Sequence, residues 1–160
     1  MSKSDFSDVL AKIPYGVSVV TTGRGGTKAE NGLTVSWLSQ VAFEPPMLMI
    51  AVDRLHYSVD LLRSTKNFCV NLLGEDQGAL AGRFARQATT GEDKLADVPQ
   101  RPADSGAAIL TDAVAYFDCE VTSIVEAGDH ALVVGRVEDA GLLKERAPMT
   151  SASGLRYRKR

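Results

Sequence analysis

Asn31-Gly32-Leu33-Thr34-Val35-Ser36-Trp37-Leu38-Ser39-Gln40-Val41-Ala42-Phe43-Glu44-Pro45-Pro46 is the stretch whose reading decides the fold. Strand side chains alternate between faces. That places Leu33, Val35, Trp37, Ser39 and Val41 on one side and Thr34, Ser36, Leu38 and Gln40 on the other. Neither side is wholly apolar or wholly polar. Asn31-Gly32 is a turn dipeptide because both residues tolerate positive φ, and Glu44-Pro45-Pro46 removes two N–H donors and ends the ladder. The segment reads as one bounded β-strand, rich in hydroxyls and carrying the only tryptophan of the chain. A ligand-lining surface satisfies that pattern, and so does an ordinary barrel strand with an aromatic filler.

Upstream, Gly16 to Thr22 has strand composition, and Gly23-Arg24-Gly25-Gly26-Thr27-Lys28 reads as the loop of a hairpin whose returning arm is the Thr34 strand. A glycine-rich loop can cradle phosphate, but no strand–GxxxxGK[ST]–helix context surrounds this one. Before it, Phe6, Val9, Leu10 and Ile13 fall at helical spacing, with Ser4 or Asp5 as cap and Pro14 as stop, which predicts a short helix packed on a sheet. Downstream, Met47 to Val52 is apolar at every position and predicts a central strand buried on both faces. Asp53 to Tyr57 follows as a loop, with Ser58 positioned to cap a short helix. Asn67 to Leu73 reads as a strand, and Gln77 to Arg86 as a helix turning Leu80, Ala81 and Phe84 inward. Gln87 to Gly106 is a polar loop. Ala113 to Val125 and His130 to Leu142 are strands joined by Glu126-Ala127-Gly128-Asp129, and Gly154 to Arg160 alternates as a last short strand.

A length of 160 residues supports a single domain spanning 1–160 with a real core. Net charge of −2 gives no overall pull toward nucleic acid or anionic lipid; the cations from Arg156 to Arg160 stand alone, with no basic stripe elsewhere. The longest apolar run is far short of the ~20 residues of a membrane span, and the N-terminus lacks a signal core. The expectation is therefore a cytoplasmic protein with no membrane partner. Cys69 and Cys119 sit in apolar runs and read as buried free thiols. His56 and His130 lack companions at metal-ligand spacing, so no metal site is expected.

The run from Asn31 to Pro46, then Met47-Leu48-Met49-Ile50-Ala51-Val52-Asp53, Phe68-Cys69-Val70-Asn71-Leu72-Leu73, Leu80-Ala81-Gly82-Arg83-Phe84-Ala85, and Gly128-Asp129-His130 before Val133-Val134-Gly135-Arg136-Val137, together resemble the flavin reductase-like family over roughly residues 10 to 158. The resemblance implies a mainly β fold, a Greek-key split β-barrel of the FMN-binding type with a few short flanking helices. It implies FMN as cofactor, with FAD as the alternative, NADH or NADPH as electron donor, and a homodimer. By resemblance, Asn31, Gly32, Thr34, Val35, Ser36, Trp37 and Ser39 line the flavin, together with Asp53 and Arg54. Ser58 and Lys94 hold its phosphate, with Arg83 as a second choice of cation. His130 borders flavin and nicotinamide as the candidate catalytic residue, and Tyr157 reaches the flavin of a neighbouring subunit.

The implied activity is transfer of hydride from NAD(P)H to flavin, and onward to free flavin, oxygen, ferric complexes or a partner monooxygenase. The alternative is a flavoredoxin-like electron carrier acting with a protein partner. A third reading is a flavin-free β-barrel module that binds nucleic acid through the basic tail. No Ser/His/Asp, Cys/His or paired-carboxylate arrangement stands out, and no GxGxxG lies between a strand and a helix. A flavin enzyme needs neither, since the cofactor supplies the redox chemistry and the protein holds and orients.

Overall fold

The structure, a computed structural model, describes residues 5–24, 30–86 and 92–153. The β-branched run Ser18–Gly23 suits a pleated surface and forms β1, followed by β2 (Glu30–Val35), β3 (Leu38–Ala42), β4 (Met47–Asp53), β5 (Asn67–Leu72), β6 (Gln100–Pro102), β7 (Ala108–Leu110), β8 (Ala115–Ala127) and β9 (His130–Leu142). Three short helices accompany them, α1 (Asp5–Leu10), α2 (Ser58–Thr65) and α3 (Gly78–Ala85). β1 and β2 pair antiparallel as a hairpin, with Val19 opposite Thr34 and Thr21 opposite Gly32.

The stretch from Asn31 to Val41 is not one strand. Its ladder stops at Val35, Ser36 and Trp37 turn a corner, and β3 starts beyond it. β2 and β3 lie at the two opposite edges of one antiparallel sheet, ordered β2, β1, β5, β8, β9, β4, β3. Laid flat, seven strands at ~4.8 Å spacing would separate those edges by roughly 29 Å, whereas the chain from Val35 to Leu38 reaches about 11 Å at most. The sheet must therefore curl until its edges meet, and β2 does contact β4. The chain crosses that seam at the corner, and among the described residues no ladder joins β2 to β3, so the barrel is split there. Alternation consequently breaks there: Leu33 and Val35 are buried, Trp37 is 48% exposed, and Leu38 packs against the core instead.

Inside the barrel, Val20, Val35, Ile50, Phe68, Val70 and Val133 form the main core, and α2 adds Val59 and Leu62. A second cluster lies outside the sheet, where Ala81 and Phe84 of α3 meet Val19, Leu73, Leu95 and Leu110. β4 differs from its expectation of two buried faces. Leu48, Ile50 and Val52 point inward, but Met47, Met49 and Ala51 remain half-buried on the barrel's outer side, where β9 presents Leu132 and Val134 in register. Phe6, Val9, Leu10 and Ile13 are each at least half exposed, so α1 exists but does not pack on the sheet. β6, inside the segment read as a loop, pairs with β7 just beyond it as a small antiparallel ribbon. Both thiols are free and buried; burial pushes each above its ordinary range, Cys119 to about 12. The final strand expected at Gly154 to Arg160, and Gly25 and Gly26 of the first hairpin loop, lie outside the described residues.

Candidate functional site

Two groups of side chains are candidates, one beside Trp37 and one at the start of β2. The first is built by the β8–β9 turn. Gly128, with φ of 61°, supplies a conformation that costs L-residues, and the tight turn sets His130 directly opposite Asp53. Arg54 N–H donates to the Asp129 carbonyl at 3.0 Å, Leu55 N–H donates to Asp53 Oδ1 at 2.9 Å, and Arg54 faces Glu126 at 3.6 Å on the surface. His130 Nδ1 lies 2.6 Å from Asp129 Oδ1. The Trp37 and His130 rings pack with centroids 4.7 Å apart, tilted by 43°, while Trp37 O accepts from Ala51 N–H at 2.9 Å and fixes the corner. The result is a flat, half-exposed aromatic surface with an imidazole beside it.

The second group is an open cleft lined by Asn31, Gly32, Tyr57, Glu92, Asp93, Lys94 and Leu95. Gly32 is demanded by packing, because a Cβ there would sit 2.6 Å from Cε1 of the buried Phe84. Its absence lets α3 lie close on β2. Thr34 Oγ1 donates to the Ala81 carbonyl at 2.6 Å and pins the same contact. Asn31 Nδ2 donates to Ser58 Oγ at 2.5 Å. Ser58 is thus not the side-chain cap expected of it: it is the first residue of α2, fully buried, and Tyr57 occupies the cap position without a side-chain hydrogen bond.

Lys94 is almost wholly buried, and its Nζ donates to the Arg86 carbonyl at 3.0 Å and more weakly to the Phe84 carbonyl at 3.4 Å. A cation at the end of α3 complements the helix dipole. Burial first, then the nearby Arg86 charge, lower the Lys94 pKa from the usual lysine value, against a smaller opposing pull from Glu92. Glu92 is itself held by a two-pronged pair with Arg86. Arg83 Nη2 donates to the Ala96 carbonyl at 2.6 Å, and its buried Nε has no partner among the described residues.

Asn31, Gly32, Ser58 and Lys94 thus meet around the cleft, and Trp37, Asp53, Arg54 and His130 around the aromatic surface, with the Asp53 to Tyr57 loop running between them. Ser36 stands at the corner, 5% exposed. The Val35 side chain belongs to the core, Ser39 Oγ donates to the neighbouring Gln40 carbonyl at 3.0 Å, and Tyr157 lies outside the described residues. Tyr57, Glu92 and Asp93 are cleft residues that sequence reasoning did not select; a loop tyrosine beside Ser58 was the one available signal. Among the described residues no group of three or more His, Cys, Asp or Glu side chains could hold a metal ion, and no helix is long and apolar enough to cross a membrane.

Residues 10–158 match the family described as Flavin reductase like domain. A flavin reductase from Pseudomonas putida is 34% identical over 134 residues, which cover 84% of this chain and 76% of that protein. The reductase component of 4-nitrophenol 4-monooxygenase/4-nitrocatechol 2-monooxygenase from Rhodococcus opacus is 33% identical over 140 residues, covering 88% of this chain and 72% of the relative. Other relatives are much longer: the match spans 24% of diflavin flavoprotein A 1 from Synechocystis and 43% of a probable flavin reductase from Rhizobium meliloti. Among solved structures, the NADH:FAD oxidoreductase of Streptomyces globisporus superposes with a TM-score of 0.86 at 28% identity, over 96% of this chain and 91% of that one.

Proposed function

Because the chain belongs to the flavin reductase-like domain family, we propose that it is an oxidoreductase that passes hydride from NADH or NADPH to a flavin, with residues 1–160 acting as one flavin-binding domain. The observation that carries this reading is the half-exposed Trp37 packed against His130 with centroids 4.7 Å apart, together with a cleft that holds a buried cation. The residues present fit a flavin nucleotide. An ammonium has three donors; Lys94 places two on carbonyls, which leaves one for a phosphate oxygen at the cleft. Ser36 adds a hydroxyl at the corner, and the half-exposed Trp37 face offers stacking area.

The flavin, when bound, supplies hydride acceptance at its N5 and a place for negative charge at its pyrimidine side. The chain's own part is to hold and orient. Ser36 and the corner backbone donate toward developing charge, Trp37 fixes the plane of the ring, and His130, anchored by Asp129, sets the position of the nicotinamide. Asn31 and Ser58 hold the floor of the cleft in place through their buried hydrogen bond.

FMN is the flavin of this reading, with FAD as the alternative. The Rhodococcus relative is a reductase component of a monooxygenase, and a partner monooxygenase is accordingly the acceptor proposed here, ahead of free flavin, oxygen or ferric complexes. A homodimer is supported by the apolar outer surface formed by Met49, Leu132 and Val134 and by the uncovered α1 stripe. Free, buried thiols suit a cytoplasmic setting.

The test is the visible spectrum of the purified protein with added FMN, taken before and after anaerobic NADH. A perturbed flavin spectrum that bleaches is the expected result, and a spectrum identical to free FMN overturns the proposal. His130→Ala should slow flavin reduction on the order of tenfold or more by misplacing the donor, with FMN affinity nearly unchanged; stopped-flow reduction alongside a binding titration separates the two. Phosphate binding also carries a pH signature. Lys94 loses its proton at lower pH than a solvent lysine, and phosphate favours the charged form. FMN affinity should therefore begin to fall below the ordinary lysine range as pH rises, while riboflavin affinity stays level; parallel titrations of the two flavins check this.

A further inference from the structure

Tyr57 lines the cleft and is 50% exposed, yet holding FMN gives it no task. Its ring is backed by His56, with centroids 5.1 Å apart and planes only 17° from parallel. The imidazole is itself anchored, because Ser58 N–H donates to His56 Nδ1 at 3.2 Å. A nitrogen that accepts carries no proton, so the proton resides on Nε2 and the ring orientation is set by the first turn of α2. One face of Tyr57 is thereby covered and rigid, and half of the residue's surface stays open at the cleft.

A shelf of this kind suits a flat heteroaromatic ring, and the rim adds acceptors for the groups such a ring carries. Among the described residues the Asn31 amide is committed through its nitrogen, to Ser58, which leaves its carbonyl oxygen to accept from a ligand. Asp93 is exposed, with one oxygen accepting from Leu95 N–H at 2.9 Å. Both match an exocyclic amino group or ribose hydroxyls, and Lys94 in the same cleft matches the phosphates that precede them. FMN has no second ring at its phosphate end.

We infer that Tyr57, braced by His56, is the stacking shelf for the adenosine end of a dinucleotide whose other end lies at the Trp37–His130 surface. The inference rests on the flavin and nicotinamide reading above and deepens it. Two ligands bring adenosine to this site, FAD and the nicotinamide donor, and binding tells them apart.

The experiment is calorimetric titration of the wild-type chain, Tyr57→Ala and Tyr57→Phe with FMN, FAD, NADH and reduced nicotinamide mononucleotide. Tyr57→Ala should weaken either FAD or NADH about tenfold, within the range of base–aromatic stacking, and leave FMN and the mononucleotide unchanged. Tyr57→Phe should bind as the wild type does. Loss in the FAD arm assigns the shelf to the flavin, and loss in the NADH arm assigns it to the donor. Wild-type affinity for both dinucleotides in Tyr57→Ala overturns the inference, as does an equal loss for FMN and FAD. A wild-type chain that binds neither flavin overturns the flavin reading instead, and the NADH arm then decides the shelf.

Discussion

Replacing Phe68 with alanine is expected to lower the unfolding free energy by ~3–5 kcal/mol. Phe68 is fully buried in the barrel interior, between β1 and β8 on a central strand. The fold has already given up a side chain to accommodate it: a Cβ at Gly135 would lie 2.6 Å from Phe68 Cε1 and 3.0 Å from the Cys119 Cβ. The backbones around the ring are tied into ladders on both sides, so the site collapses poorly once the ring is gone, and the cavity cost adds to the lost transfer energy. Against a total stability of about 5–15 kcal/mol, that removes a large fraction of the margin. The midpoint of urea unfolding should fall with its slope unchanged, and a loss below ~1 kcal/mol would mean that the barrel repacks freely. Gly135→Ala should destabilise the wild-type chain by overpacking and partly restore the Phe68→Ala chain, a coupling that a double-mutant cycle reads directly.

Replacing Trp37 with alanine should weaken flavin binding by about ten- to a hundredfold, taking ~1–3 kcal/mol as the worth of one aromatic stacking surface. Stability should change much less, because Trp37 is 48% exposed and its ring packs on that of His130 at the surface. That separation makes the variant informative. A dissociation constant for FMN at the wild-type value, with the melting temperature also unmoved, would remove Trp37 from the site. A large fall in both would make it a structural residue of the corner. Trp37→Phe, which keeps a smaller stacking face, should recover most of the affinity.

Much of this site was legible as residues and little of it as geometry. Asn31, Gly32, Trp37, Ser58, Lys94 and His130 were all marked in the sequence, by turn chemistry, by hydroxyl and aromatic content, or by family resemblance. Their partners were not. Lys94 falls in a segment that reads as a polar loop, yet it is buried as a cap on α3. Ser58 reads as a helix cap and accepts from Asn31 instead. In each case the sequence shows a polar group able to hydrogen-bond, while its partner belongs to an element distant along the chain and is set by how the elements pack.

What the sequence by itself determined is the position of most strands, the hairpins around Gly23 and Gly128, and the inward face of α3, since alternation, turn residues and β-branching act over a few neighbours. Only the tertiary structure decided that Asn31 to Ala42 is two strands on opposite edges of the sheet. Local alternation runs straight through Ser36 and Trp37 and cannot register a corner. The corner exists because a seven-stranded sheet must curl until its edges come within reach of two residues of chain. That closure turns Trp37 out of the core and beside His130, and it is what sets an exposed aromatic face at the end of a hydroxyl-rich strand.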